Sequence, residues 1–173
     1  GNKYYSTFIY DSSVKTQADI LKNNKSDFSK RSFTFVDYSQ INSGLAPEGK
    51  SVGAVCCVDY TSNWENMERK EYTKRKNEVA QIFIDRLEKL IPGFDNAIEY
   101  YEVGTSKTIE QFTLNPEGAV YGFAQTPLRA TSDKIKTIEN LYFASAWAKL
   151  GGGFSGAIYN GYLCAFEILR KRD

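Results

Sequence analysis

Three consecutive glycines, Gly151, Gly152 and Gly153, followed by Phe154, Ser155 and Gly156, are the residues of this sequence best suited to chemistry. The stretch from Asn140 to Arg170 reads as an apolar strand, a glycine turn and a helix beginning near Ser155. That order aims backbone N–H groups at an anion or at the polar edge of a ring. The spelling Gly151-x-Gly153-x-x-Gly156 also satisfies the dinucleotide fingerprint, which requires a second parallel strand and an acidic residue about 20 positions on to hold a ribose. Here the residues from Gly156 to Asp173 read as one continuous helix, so the match is a coincidence of spelling. What survives is the helix start, where Phe154, Ser155 and Gly156 offer unpaired N–H groups at the positive end of a helix dipole. A plain flexible turn is the competing reading. Against it stands the entropic cost of three glycines, which a turn alone does not need.

Other chemistries are excluded by composition. Histidine is absent, which removes Ser-His-Asp and Cys-His triads, His-ligated zinc and the usual imidazole acid or base. Of the three cysteines, Cys56 and Cys57 are adjacent in an apolar run and Cys164 lies in the last helix. Neither a disulfide framework nor a CxxC metal site is expected from that spacing, and no metal is assigned. A reducing, cytoplasmic location is the expectation, with no signal peptide in view. The formal net charge is +1, and the basic run Lys70 to Lys76 is interleaved with glutamate. A solvated helix face is therefore expected there, and no nucleic-acid partner. No apolar run approaches the ~20 residues needed to span a bilayer, so any membrane contact would be peripheral.

The elements that must position the glycine turn follow from periodicity. Strands are expected at Tyr4 to Tyr10, at Ser32 to Tyr38 with Phe33 and Phe35 on one face, and at Ser51 to Tyr60, where an apolar run implies a central strand covered on both faces. Further strands are expected at Ala97 to Val103, Ala119 to Phe123 and Leu141 to Ala146. Short helices are expected at Val14 to Leu21 and Ile109 to Thr113. Ser62-x-x-Glu65 has a capping-box spelling, so a long helix is placed at about 64–91, stopped by Pro92-Gly93. The closing helix is placed at about 155–171, with an apolar face at Ile158, Tyr162, Ala165, Phe166 and Leu169 and a small-residue stripe at Ala157, Gly161 and Ala165. Thr126-Pro127 and Ser132 to Lys136 read as a surface connection. With about five or six strands and no regular βαβ alternation, the fold class is α+β with a mostly antiparallel sheet.

These residues carry a family resemblance. LYFASAW followed by GGGFSGAIYNGYLCA is similar to the carboxyl-terminal flavin-contacting segment of the FAD-dependent phytoene desaturase, carotenoid isomerase and retinol saturase family, within the wider amine-oxidase-like flavoproteins. Leu45-Ala46-Pro47-Glu48-Gly49, Gly104-Thr105-Ser106-Lys107-Thr108 and Asn115-Pro116-Glu117-Gly118-Ala119-Val120-Tyr121-Gly122 agree in order, and the strand STFIY resembles the entry into the substrate domain.

The resemblance implies that FAD is held mainly by an amino-terminal Rossmann half, which this sequence lacks and which would be its partner. Residues 1–138 would then be a portion of the substrate-binding domain, and 139–173 the terminal strand and helix that complete the FAD domain. It further implies cofactor contacts from Ser145, Ala146, Trp147, Gly152, Gly153, Phe154, Ser155 and Gly156, with backbone N–H groups of Phe154 and Ser155 at the pyrimidine edge of the flavin. The family's usual acidic residue is Ala146 here, and its frequent Thr-Pro is Thr105-Ser106. An apolar polyene or isoprenoid substrate is implied, with Phe33, Phe35, Tyr100, Tyr121 and Phe123 as candidate tunnel residues. No catalytic residue is assigned. The fragment alone is expected to be inactive, and an uncovered apolar face is expected to favour a homodimer. An amine-oxidase-like enzyme with a polar amine substrate, or a noncatalytic lipid-binding module, remain the alternatives.

Overall fold

A computed structural model describes residues 2–123, 131 and 138–170. The expected connection at Thr126-Pro127 and Ser132 to Lys136 lies outside them, as does Lys171. Within the described residues the fold is α+β with an antiparallel sheet, as the sequence implies. Contacts divide the chain into two units, Gly1–Thr105 and Ser106–Asp173.

The first unit contains a three-stranded antiparallel sheet, β1 (Ser6–Ile9), β2 (Phe33–Asp37) and β3 (Gly53–Cys56), in the order β1-β2-β3. The register sets Phe8 opposite Thr34 and Thr34 opposite Cys56. Side chains alternate across a strand, and Phe33 and Phe35 point to the face covered by α2 (Arg69–Glu88), where they join Phe28, Trp64, Val79, Phe83 and Leu87 in the core. Edge-to-face ring pairs knit this core, Phe33 with Phe83 at 5.1 Å and Trp64 with Tyr72 at 5.7 Å between centroids. The carboxyl half of α2 is thus the packed half and its charged amino half the solvated one.

Before β2, α1 (Gln17–Asn23) starts three residues later than the expected Val14. Thr16 and Asp19 form a reciprocal capping box that fixes its first turn. The buried Asn23 then accepts from Ser32 N–H and donates to the Lys30 carbonyl, tying α1 to the chain entering β2.

Several expected elements differ. The apolar run at 51–60 forms an edge strand of four residues, not a central one. Its outward residue Cys56 lies on the uncovered, largely apolar sheet face, where Phe8, Tyr10 and Val58 are also exposed around Thr34. The Ser62-x-x-Glu65 spelling caps nothing: Ser62 lies in a 3-10 turn, Asn66 takes a left-handed backbone (φ 56), and α2 begins only at Arg69. Residues 97–103, 119–123 and 141–146 form no strand, since among the described residues no neighbouring strand pairs with them.

The adjacent cysteines straddle the sheet. Cys56 is exposed, whereas Cys57 packs against the core and burial pushes its thiol up to about 11, with the Arg31 charge opposing part of that rise. Brief alkylation with iodoacetamide at about pH 8 should label Cys56 and spare Cys57, because only the thiolate reacts. Peptide mass spectrometry reads the outcome, and equal labelling of the pair would contradict it.

Candidate functional site

The second unit gathers most of the segments that carry the resemblance. Its helix α3 (Ser106–Thr113) ends at Leu114, whose left-handed backbone (φ 58) turns the chain into Asn115. Asn115 is the hub of this turn. Its side chain donates to the Ala119 carbonyl at 2.9 Å and accepts from the Trp147 indole N–H at 3.3 Å. The Trp147 ring meets Phe123 edge to face at 4.8 Å. Gly122 lies so close to the Ala146 carbonyl that a Cβ there would stand 2.3 Å from its oxygen. Segments 115–123 and 145–147 are thereby interlocked.

The expected strand at 141–146 is instead an irregular approach to a tight turn, in which Ala148 N–H donates to the Ser145 carbonyl at 3.1 Å and Trp147 N–H to the Ser145 hydroxyl at 3.2 Å. Ser145 and Ala146 therefore use their polar atoms and close contacts to build the turn.

Beyond the turn, Gly151, Gly152 and Gly153 all take positive φ (38°, 80° and 61°), a run that side chains with a Cβ resist. This is the physical use of three consecutive glycines. The helix α4 (Gly153–Arg170) begins on the last of them, two residues earlier than expected. Gly152 N–H donates to the Tyr121 carbonyl, which pins the glycine turn to the 119–123 segment. Gly156 sits on the Gly151 carbonyl, 2.2 Å from where a Cβ would be, so the turn folds back onto the second half of the first helical turn. The space around Gly152 and Gly153 is open, with no atom within 4 Å of a built Cβ. Phe154 is 90% exposed, and no acidic side chain lies in the first turn to neutralise the dipole.

Of the eight residues implied as cofactor contacts, Gly152, Gly153, Phe154, Ser155 and Gly156 form one exposed helix start. Ser145, Ala146 and Trp147 form its support. Such a start offers an uncharged rim of backbone N–H groups at the positive end of the helix dipole.

Of the two side chains that hold this arrangement, the sequence places Asn115 in a turn without giving its side chain a role and does not single out Asn160. Asn160 is 3% exposed in a helix whose apolar residues are all exposed or only partly buried. A lone asparagine in an otherwise apolar helix was the available signal, since a buried amide is retained only where it finds partners. The expected apolar face of α4 exists but is bare, with Ile158 at 73% and Tyr162 at 62% exposure, and nothing lies within 4 Å of a Cβ on Gly161. Among the candidate tunnel residues, Phe33 and Phe35 are consumed by the core, while Tyr100, Tyr121 and Phe123 are exposed. Among the described residues no cluster of His, Cys, Asp or Glu could hold a metal, and no helix is long and apolar enough to cross a membrane.

The second unit thus ends in a glycine-turned helix start that rests on an interlocked loop. No family model and no solved structure matches the chain. Curated relatives do. Prolycopene isomerase of Daucus carota is 31% identical over a 137-residue alignment covering 74% of this chain and 22% of the relative, and the Arabidopsis thaliana prolycopene isomerase is 30% identical over the same shares. All-trans-retinol 13,14-reductase of Danio rerio is 24% identical over 88% of this chain and 28% of its own length. Over the matched residues, the chain is a homologue of carotenoid-isomerase and retinol-reductase proteins. It spans less than a third of the length of these relatives.

Proposed function

We propose that this chain is part of an FAD-dependent oxidoreductase acting on carbon–carbon double bonds of an apolar polyene or isoprenoid, by desaturation, isomerisation or saturation. The observation that carries the reading is the interlocking of three sequence-distant segments of family resemblance, 115–122, 141–147 and 151–165, into one unit that ends in the open helix start. The names of the relatives supply the substrate class. In this reading the main FAD-binding half lies in another part of the polypeptide, and the α4 start closes on the ring.

FAD, when bound, supplies the hydride chemistry. The chain's own residues orient and shield. Backbone N–H groups of Phe154 and Ser155 hold the polar ring edge, and the left-handed glycines keep side chains out of the approach. Asn115 and Trp147 hold the supporting loop. In the first unit, the substrate-facing surface is the uncovered side of the sheet, with Phe8, Tyr10, Val36, Cys56 and Val58, and not the opposite side occupied by Phe33 and Phe35.

The test compares the whole natural polypeptide with residues 1–173 alone. The whole polypeptide should carry FAD through gel filtration and change the hydrogen content or the cis–trans geometry of an apolar polyene. Residues 1–173 should retain no flavin and show no turnover. A flavin-free whole polypeptide sinks the reading; stoichiometric flavin on 1–173 sinks the division of labour.

A further inference from the structure

We infer that Asn160 is a positioning residue for the helix start, acting as a two-point clasp on the loop that carries the glycine turn; the inference rests on the flavin reading above. The side-chain amide accepts from Leu150 N–H at 3.1 Å and donates to the Ser145 carbonyl at 2.8 Å. Ser145 and Leu150 are the two ends of the loop that precedes the glycines, so one side chain from the second turn of α4 fixes both. The Ser145 carbonyl also closes the loop's internal turn by accepting from Ala148 N–H. Leu150 leads directly into Gly151, whose carbonyl supports Gly156. A change in the clasp therefore moves the glycine turn and the first turn of α4 together.

The clasp needs a donor and an acceptor at once. Asn160→Asp is nearly the same size but, ionised, turns a carboxylate toward the Ser145 carbonyl and loses the donor. When protonated, its O–H can donate to Ser145 while the other oxygen still accepts from Leu150. Burial raises a carboxyl pKa, so the folded-state value of Asp in this position lies above the unfolded one. The clasp is then intact at low pH and lost as pH rises through the folded value. The titratable side chains on the elements concerned are Tyr142 and Lys149 on the loop side, and Tyr159, Tyr162, Cys164, Glu167 and Arg170 on α4. They are shared with the wild type, whose own pH profile is the control.

The experiment uses the whole polypeptide as wild type, Asn160→Asp and Asn160→Leu, with FAD as the probe. It measures amide exchange at Leu150 to Ser155 and FAD affinity by flavin fluorescence between about pH 5 and about pH 8, the range open to a buried carboxyl group. Asn160→Leu removes both hydrogen bonds and should speed exchange and weaken FAD binding by about 10-fold or more at every pH, since one lost buried hydrogen bond already corresponds to about that factor. Asn160→Asp, which when ionised keeps the Leu150 bond and loses the Ser145 one, should weaken binding at the upper end and recover toward wild type at the lower end, with amides of the first unit unchanged. A pH-independent Asn160→Asp, or faster loop exchange with unaltered FAD affinity, overturns the inference. A wild-type protein that takes up no FAD overturns the functional reading, and the clasp then stands or falls on the exchange data.

Discussion

Replacing Asp59 with alanine should destabilise the protein by about 3–4 kcal/mol, because it strands a buried cation. Arg31 is 3% exposed, and Asp59 is the carboxylate that balances it, at 2.8 Å. The remaining guanidinium donors go to the carbonyls of Ser26 and Val58, so the geometry would persist while the counter-charge vanished. Asp59 also accepts from the Trp64 indole N–H at 2.5 Å and from Asn63 at 2.6 Å. Trp64 is 1% exposed, and its N–H would lose its partner in a place water does not reach. Asp59→Asn keeps an acceptor for the indole and should cost less. Urea unfolding of the three proteins checks the order: a midpoint for Asp59→Ala within error of wild type would remove this network from the account of stability.

Alanine at two glycines of the same helix should act in opposite directions. Gly161→Ala meets nothing within 4 Å and gains ordinary helix propensity, a stabilisation of about 0.5–1 kcal/mol. Gly156→Ala drives a methyl group into the Gly151 backbone, where neither partner is the free end of a flexible side chain. Overpacking of that kind costs about 1–3 kcal/mol, more than the propensity gain. It should also displace the glycine turn. Thermal melts of the two variants measured together give the sign of each; melting temperatures that rise in both would mean that the turn yields freely and holds no fixed shape.

The parts of the fold legible from sequence were those where one local pattern and one burial demand agreed. Phe33 and Phe35 alternate in β2 and both enter the core, and Val79, Phe83 and Leu87 repeat at helical spacing and cover that face. The glycine turn was legible because three left-handed residues in a row leave few other choices of side chain. Apolar runs misled where long-range pairing decides. LYFASA has strand composition, but Ser145 and Asn160 take its polar backbone into a turn. The run at 51–60 is apolar on both sides, yet only one side is covered. In the 62–68 region, a capping spelling lost to Trp64, which anchors in the core, and to Asn66, whose backbone conformation interrupts the helix. The two asparagines that organise the candidate site bond to loops well separated in sequence, a relation that spacing within one element does not encode.

The two tryptophans of the sequence fall one to each unit, Trp64 deep in the first and Trp147 half-buried in the second. The protein therefore carries a separate fluorescent reporter for each unit. Single-tryptophan variants made by Trp→Phe would show whether the sheet unit and the glycine-turn unit melt together or in sequence, without any added label.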